Sequence, residues 1–241
     1  HAYPYDLKAG DINEVRRLID QYEMPVYGYT PEHNAYPFNY MIGSEAQRED
    51  AVAYLKTAID MAKEMGSDFV LTSPANGGYL ATYGELWTRL EKTIRELGDY
   101  AAKKEIHLVV EALTPYESNF FTRANDLVEL FRRVDNPYVV GMCDVVPPFV
   151  QHESIMAYFD KLGSKMHHMH IIDGEQGTDS HIIPGEGSMP MKEMLYELKR
   201  VNYHGTATLE LVTGYINEPR MYAKRAVDNV RSLMAEAGWQ E

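Results

Sequence analysis

The chain has 241 residues, of which 45% are hydrophobic and 24% are charged, and its formal net charge is −13. This composition is typical of a globular chain that buries roughly 70–75% of its unfolded surface. The negative charge opposes phosphate backbones and anionic lipid surfaces, so it argues against nucleic acid and membranes as partners.

Cysteine usage and hydropathy indicate a compartment. Cys143 is the one cysteine of the chain, which excludes an internal disulfide and is typical of a reducing compartment. No apolar run approaches the length that a bilayer requires, and the first residues show no basic and apolar leader. We therefore expect a cytoplasmic protein.

Helical and strand patterns alternate along the chain. Helical patterns cover 11–22, 44–65, 83–104, 123–134, 152–162, 190–201 and 217–237. Ser44 and Gln47 form a capping-box pattern at the start of the second of these, and Gly66 follows its end. Short apolar runs predict strands over 24–30, 68–73, 106–113, 139–145, 166–173 and 206–212.

This alternation predicts an α/β fold with a parallel sheet covered by helices. A doubly wound sheet usually carries a Gly-rich phosphate-binding turn, and the chain has neither that motif nor a Walker pattern. Polar residues late on several strands instead favour a (β/α)8 TIM barrel. Six strands and one leading helix predict a single barrel domain, 1–241, that is N-terminally shortened by its first β-α-β unit.

Four polar residues stand late on four successive predicted strands. Glu111, Asp144, His170 and Glu210 are separated by 33, 26 and 40 residues, and each interval holds one helical pattern. A charge at the end of a buried strand is costly unless it is paired or bound to a metal. Because the strands are parallel, the four side chains are expected at the same edge of the sheet.

The donor set is three carboxylates and one imidazole, which suits a divalent ion with open positions. Carboxylate-rich ligation favours Mn²⁺ or Mg²⁺, and the imidazole also admits Co²⁺, Ni²⁺ or Zn²⁺. We expect one divalent ion, with Mn²⁺ favoured. His167 has the opposite strand parity from His170, and His168 lies one layer deeper, so both are predicted to be structural.

Several motifs carry a resemblance to a known family. They are VVEALTPYESN, DLKAG near the start, AYFDKLG, HIIPGEGSMP and ELVTGYINEPRMYA. With them the chain resembles the sugar isomerase/epimerase superfamily of barrels and, within it, the fructoselysine 3-epimerases. The resemblance covers essentially the whole chain. That family has a strand, a helix and a second strand ahead of DLKAG, in agreement with the missing unit.

The resemblance implies an isomerase that inverts C3 of a 2-keto sugar carried on an amine, interconverting fructoselysine and psicoselysine through a cis-enediolate. Carried over to matching positions, Glu111 and Glu210 would be the acid/base pair as well as metal ligands. Asp144 and His170 would be ligands only. The metal would stabilise the developing oxyanion on O2 and O3. Which glutamate acts first is left open.

Further residues are candidates for substrate binding. Asp179 and His181 lie in the polar loop after the His170 strand, and Tyr116, Glu117 and Asn119 follow the Glu111 strand. Glu117 could meet a substrate ammonium. For each residue a structural role, as a loop brace or a helix cap, is the alternative.

Two departures bear on the substrate. Epimerases of free ketoses typically carry arginine where His181 stands and histidine where Pro147 stands. Both departures weaken the interpretation as an epimerase or isomerase of a free ketose such as tagatose or psicose, which is kept as the alternative enzyme. An inactive or binding barrel is the alternative outside enzymes.

A third alternative, within the same superfamily, is DNA repair. Asp179 and His181 resemble the D-x-H motif of apurinic endonucleases, but Asn76 and Pro147 stand where that group has metal-binding histidines, and the chain is acidic. We therefore expect a small-molecule sugar or sugar-amine as the partner. The oligomeric state, including a homo-oligomer, is left open.

Overall fold

A computed structural model of the protein describes residues 9–240. The α-helices of this range are α1 Ala9–Tyr22, α2 Glu45–Met65, α3 Tyr83–Lys104, α4 Ala124–Val134, α5 Val146–Val150, α6 Met156–Leu162, α7 Met191–Arg200 and α8 Pro219–Glu236. Its β-strands are β1 Gly28–Tyr29, β2 Phe69–Thr72, β3 His107–Val110, β4 Val139–Asp144, β5 Met166–Ile171 and β6 Thr206–Leu209. Short 3₁₀ helices cover Gly163–Lys165 and Thr213–Tyr215. The Asp-Leu-Lys part of the DLKAG motif lies outside the described residues.

The chain divides into two compact units within β4, one ending at Gly141 and the other starting at Met142. In the first unit β1, β2, β3 and the start of β4 pair in chain order, and all the pairs are parallel. In the second unit the strand order is β4, β5, β6, and β5 pairs with β6 in parallel. The predicted alternation of parallel strands and helices is confirmed.

The two long helices of the first unit, α2 and α3, have the predicted bounds to within one residue. Ser44 caps α2 by accepting a hydrogen bond from the amide of Gln47, and Gly66 ends the helix with φ 74°. Thr82 and Glu85 form a complete capping box at the start of α3. In the described part of the chain, no helix has both the length and the apolar character needed to cross a bilayer.

Strands β2 and β4 are buried along their whole length. Strands that are covered on both faces read as continuous apolar runs, which is why the sequence lacks the alternation of a half-exposed sheet. Most of β2, β3 and β4 is apolar. Apart from His107 at the start of β3, a polar residue comes where each strand ends, at Thr72, at Glu111 just beyond β3, and at Asp144.

The structure differs from the sequence prediction at two places. The predicted strand 24–30 is ordered as a strand only at Gly28–Tyr29, because Pro25 cannot donate to a ladder. The predicted helix 152–162 begins only at Met156, since His152 adopts a left-handed φ of 54°. The preceding residues form α5 instead, which the sequence did not reveal. Its Val-Pro-Pro start suits the first turn of a helix, where proline loses no hydrogen bond.

Arg89 of α3 holds the loop that precedes α2. Its guanidinium donates to the carbonyl oxygens of Tyr40 at 2.6 Å, Ile42 at 2.7 Å, Ser44 at 3.1 Å and Gly43 at 3.2 Å. No single backbone partner could satisfy so many carbonyls at once, so this side chain fixes the connection between β1 and α2.

We expect Arg89→Ala to lower the free energy of unfolding by about 2–3 kcal/mol, because several charge-assisted hydrogen bonds are lost together. Urea unfolding measures the change. Arg132→Ala is the matched control, since Arg132 is exposed and its one ion pair among the described residues is with Glu129 in its own helix, and it should cost less than about 0.5 kcal/mol. Equal losses in the two variants would contradict the anchoring role of Arg89.

Candidate metal centre and its supporting loop

Three of the predicted ligands meet in the second unit. Asp144 is the last residue of β4, His170 lies in β5, and Glu210 directly follows β6. The side chains of Asp144 and His170 are 6% and 5% exposed, and that of Glu210 is 15% exposed. The three polar groups therefore lie in a region largely closed to water.

The spacing of their donor atoms fits one divalent ion. His170 Nδ1 lies 2.9 Å from Glu210 Oε2 and 3.7 Å from Asp144 Oδ2. Each residue offers a ligand atom within 4.8 Å of the others. Ligand atoms at about 2.0–2.2 Å from a common ion, on directions roughly at right angles, are separated by about 3 Å. Two carboxylates and one imidazole are also donors that divalent ions accept.

The turn after β4 orients Asp144. Its Oδ1 accepts a hydrogen bond from the amide of Val146 at 2.7 Å, at the start of α5. This leaves Oδ2 as the oxygen that faces His170. The unpredicted helix α5 therefore has a role at this strand end, because its first amide orients the side chain of a candidate ligand.

The loop after β5 brings Asp179 and His181 to Glu210. His181 Nδ1 is 3.5 Å from Glu210 Oε2, and His181 Nε2 is 3.7 Å from Asp179 Oδ1. Burial favours the neutral imidazole, but the contact with Asp179 and the charges of Asp144 and Glu210 outweigh it and raise the pKa of His181 to about 9. An imidazolium at this position compensates the buried carboxylates.

His168 lies behind His170 on the same face of β5. Its Nδ1 is 2.7 Å from Thr206 Oγ1 and its Nε2 is 3.0 Å from Thr208 Oγ1, both on β6. Burial and the neighbouring histidines lower its pKa to about 3, so the ring is neutral. The prediction of a structural core histidine is confirmed. Its ring packs edge-on against His170 at a centroid distance of 5.5 Å.

Asp173 is a residue that the sequence reasoning missed as a contributor to the site. It is fully buried, and its carboxylate accepts four backbone hydrogen bonds of 2.8–3.0 Å, from the amides of Gly174, Gly185, Gly187 and Met189. The carboxylate thus joins the two ends of the loop that carries His181. The signal was present as an aspartate after a strand and a Gly-rich segment twelve residues later, a pattern typical of backbone anion nests.

Glycine is required where this loop returns to Asp173. A Cβ on Gly187 would lie 2.5 Å from Asp173 Oδ1, closer than any side chain allows. Gly185 adopts φ +85°, a conformation that glycine accepts without a steric cost. The Pro-Gly-Glu-Gly sequence is therefore explained by packing against Asp173.

The fourth predicted ligand, Glu111, belongs to the first unit. It is the residue after β3, it is 7% exposed, and its amide donates to the carbonyl of Thr72 at 3.0 Å. A buried carboxylate at this strand end has the position that the sequence predicted for it.

The loop after Glu111 holds the remaining candidates. Glu117 Oε2 accepts hydrogen bonds from Thr114, at 3.2 Å from its amide and 2.9 Å from its hydroxyl. Asn119 accepts from the amide of Gly77 at 2.9 Å and donates to the carbonyl of Gly78 at 2.7 Å. Tyr116 is 57% exposed. These bonds brace two neighbouring loops, and contact with substrate stays a prediction for all three residues.

Asp173→Asn tests the loop anchor. An amide nitrogen cannot accept hydrogen bonds, so one pair of backbone amides loses its acceptor, and we expect a loss of about 2–3 kcal/mol in unfolding free energy. Amide hydrogen exchange of Gly185, Gly187 and Met189 should accelerate more than exchange in β6. Asp160→Asn, on the exposed face of α6, is the control and should leave these rates unchanged. Unchanged exchange in Asp173→Asn would refute the anchor.

Comparison with known proteins places these features in a family. A family model described as a xylose isomerase-like TIM barrel matches residues 1–233. The chain is similar to fructoselysine 3-epimerase of Shigella flexneri, with 45% identity over 236 residues that make up 98% of this chain and 86% of that protein.

Solved structures show the same fold. A 3-keto-D-glucoside 4-epimerase from E. coli superposes with a TM-score of 0.78 at 15% identity, covering 92% of this chain and 85% of that one. A D-psicose 3-epimerase from Clostridium cellulolyticum, solved with D-tagatose, superposes with a TM-score of 0.77 at 18% identity, covering 96% and 86%. The predicted barrel class is confirmed, and the chain is an enzyme of the epimerase class. By its sequence and its fold, the chain belongs to the xylose isomerase-like TIM barrel family.

Proposed function

We propose that this enzyme is a divalent-metal-dependent 3-epimerase of a ketosamine and interconverts fructoselysine and psicoselysine. The observation that carries the proposal is the convergence of Asp144, His170 and Glu210 in a buried region, with His170 Nδ1 at 2.9 Å from Glu210 and 3.7 Å from Asp144. The 45% identity to a fructoselysine 3-epimerase over nearly the whole chain supports the substrate.

The reaction needs one proton removed and one returned. Loss of the C3 proton next to the C2 carbonyl leaves a cis-enediolate, and protonation of C3 from the opposite face completes the inversion. Two carboxyl groups, one on each side of the sugar plane, can perform these steps. The ionised one accepts the C3 proton and becomes protonated, and the protonated one gives its proton to C3 from the opposite face. The net reaction consumes no co-reactant.

Glu210 and Glu111 are proposed as this pair. Glu210 Oε2 lies 2.9 Å from His170 Nδ1 and 3.5 Å from His181 Nδ1, and the positive charge of the His181 imidazolium favours the ionised form of the carboxylate, which can act as a base. Glu111 follows β3, which pairs with β4 at Val110↔Gly141, and β4 ends in Asp144. Both glutamates are also proposed as metal ligands, with Asp144 and His170 as ligands only.

One divalent ion, proposed to be Mn²⁺, would supply Lewis-acid stabilisation of the oxyanion that develops on O2. The other polar groups position the sugar. His181 as an imidazolium can donate to a sugar oxygen next to Glu210, and the carboxylate of Asp179 lies 3.7 Å from its Nε2. Tyr116, Glu117 and Asn119 are proposed to contact the more distant part of the substrate.

A free ketose is the second candidate substrate. The structural likeness to D-psicose 3-epimerase is the observation that favours it. Against it stands Pro147, which lies buried in the first turn of α5 and offers no side-chain donor to a sugar hydroxyl. Solvent-deuterium incorporation at C3 distinguishes the two, with fructoselysine compared with fructose and psicose under the same conditions.

Exchange at C3 of fructoselysine should require metal and both glutamates. With Mn²⁺ present, NMR should show deuterium at C3 in the wild type, none after chelation, and a rate at least about 10³-fold lower in Glu111→Gln and in Glu210→Gln. Glu117→Gln is the matched control, because its carboxylate caps a turn. It should mainly raise KM and leave kcat within about threefold.

Two results would reject this mechanism. Substantial exchange in either glutamine variant, under saturating Mn²⁺, would exclude the two-carboxylate mechanism. Rapid exchange of psicose with no exchange of fructoselysine would establish the free-ketose alternative. A metal-loaded, folded protein that exchanges neither sugar would favour an inactive barrel.

Metal binding is testable without activity. Asp144→Asn removes one anionic donor, and we expect the affinity for Mn²⁺ to fall at least about tenfold in calorimetric titration. Asp160→Asn, with the same chemical change on exposed α6, should bind Mn²⁺ like the wild type. The same affinity in both variants would show that the ion is held elsewhere.

A further inference from the structure

The segment after β6, which carries Glu210, contacts the loop that carries His181 at a second place. The hydroxyl of Tyr215 accepts a hydrogen bond of 3.1 Å from the amide of Ile183. Ile183 is a fully buried residue, so its amide depends on an acceptor inside the protein. Ile183 is the second residue after His181, and Tyr215 is the fifth after Glu210. The bond therefore joins the two site segments close to their functional side chains.

The side chain of Tyr215 is fixed at its backbone and at its ring. Tyr215 ends the 3₁₀ helix after β6, and its amide donates to the carbonyl of Val212 at 3.0 Å. Its ring packs on the ring of Tyr222 in α8, with the centroids 4.8 Å apart and the planes inclined at 60°. Because both ends of the side chain are held, the hydroxyl is a rigid acceptor for the Ile183 amide.

Helix α8 holds the same loop just beyond Ile183. Asn229 donates to the carbonyl of Pro184 at 2.9 Å, and Arg225 pairs with Glu186. The loop is thus attached to the β6–α8 segment at three successive points, at residues 183, 184 and 186. Of these three attachments, the hydrogen bond to Tyr215 is the nearest to His181 along the chain.

The contact between His181 and Glu210 does not by itself fix the imidazole. Its length of 3.5 Å, between His181 Nδ1 and Glu210 Oε2, exceeds that of an ordinary hydrogen bond, about 2.7–3.2 Å. A contact of this length attracts the ring electrostatically but leaves its direction loosely defined. The ring position therefore depends on the backbone of the loop, and the hydrogen bond from Ile183 to Tyr215 ties that backbone to the segment of Glu210.

We propose that Tyr215 is a positioning residue that holds His181 beside Glu210 through the backbone of Ile183. Its effect on catalysis rests on the proposed function, in which Glu210 transfers a proton and the His181 imidazolium donates to a sugar oxygen. Tyr215 acts without touching the substrate. A displacement of about 1 Å in a reacting group can lower a rate about 10²-fold, so loss of the hydroxyl should change kcat more than KM.

Tyr215→Phe removes the acceptor and keeps the ring that packs on Tyr222. In the C3 exchange assay with Mn²⁺, kcat per folded, metal-loaded molecule should fall at least about tenfold, while KM for fructoselysine stays within about threefold. Tyr222→Phe removes a hydroxyl from the other ring of the pair and is the matched control, which should keep both constants within about twofold. A merely structural role would lower the yield of folded enzyme and leave kcat per folded molecule unchanged, and that result would overturn the proposal.

NMR tests the positioning role without turnover. In ¹⁵N-labelled protein with Mg²⁺, which is diamagnetic, Tyr215→Phe should shift the ring nitrogen signals of His181 and leave those of the exposed His204 unmoved. The amide of Ile183 should exchange with solvent at least about tenfold faster than in the wild type. Unmoved His181 signals in the folded variant would overturn the proposal.

Measurements on the wild type keep the proposal falsifiable if Tyr215→Phe does not fold. The amide of Ile183 should exchange at least about tenfold more slowly than that of the exposed Gly177 in the same loop, and equal rates would overturn the proposal. A wild type that does not exchange C3 of fructoselysine would reject the proposed function. The NMR comparison would still decide whether Tyr215 places His181, so the two failures are distinguishable.

Discussion

Buried carboxylates impose the constraint on which the rest of this structure depends. Asp144 is the last residue of the apolar strand β4 and Glu210 directly follows β6, and little water reaches either carboxylate to lower the cost of its charge. Each must meet positive charge or hydrogen-bond donors inside the protein. His170, between the two carboxylates, and His181, beside Glu210, answer that requirement, and the same arrangement creates the donor set for a divalent ion.

The buried carboxylate of Asp173 is compensated by backbone amides, and this explains why its role differs from that of Asp144. Its two oxygens are saturated by four backbone amides, so it has no capacity left for a metal or a substrate. Asp144 accepts one amide bond through Oδ1 and turns Oδ2 towards His170. Two aspartates at the ends of neighbouring strands thus serve different purposes, one as a structural anchor and the other as a candidate ligand.

The loop between β5 and α7 carries side chains that reach the candidate metal centre. Its ends are fixed on Asp173, and its middle places His181 beside Glu210. Substrate selectivity in a barrel of this family depends on such loops, because the strands only provide the common edge. The relatives, which include a 3-epimerase and a 4-epimerase, are consistent with chemistry that varies on a shared fold.

The sequence alone determined the order of helices and strands, the barrel class and the strand-end positions of Glu111, Asp144, His170 and Glu210. These features are local, since apolar runs, capping residues and spacing can be read without knowing any contact. Only the tertiary structure decided that Asp173 binds amides twelve to sixteen residues away and that Thr206 and Thr208 hold His168. Those roles depend on partners distant in the chain, and no local pattern encodes which donor a buried side chain will meet.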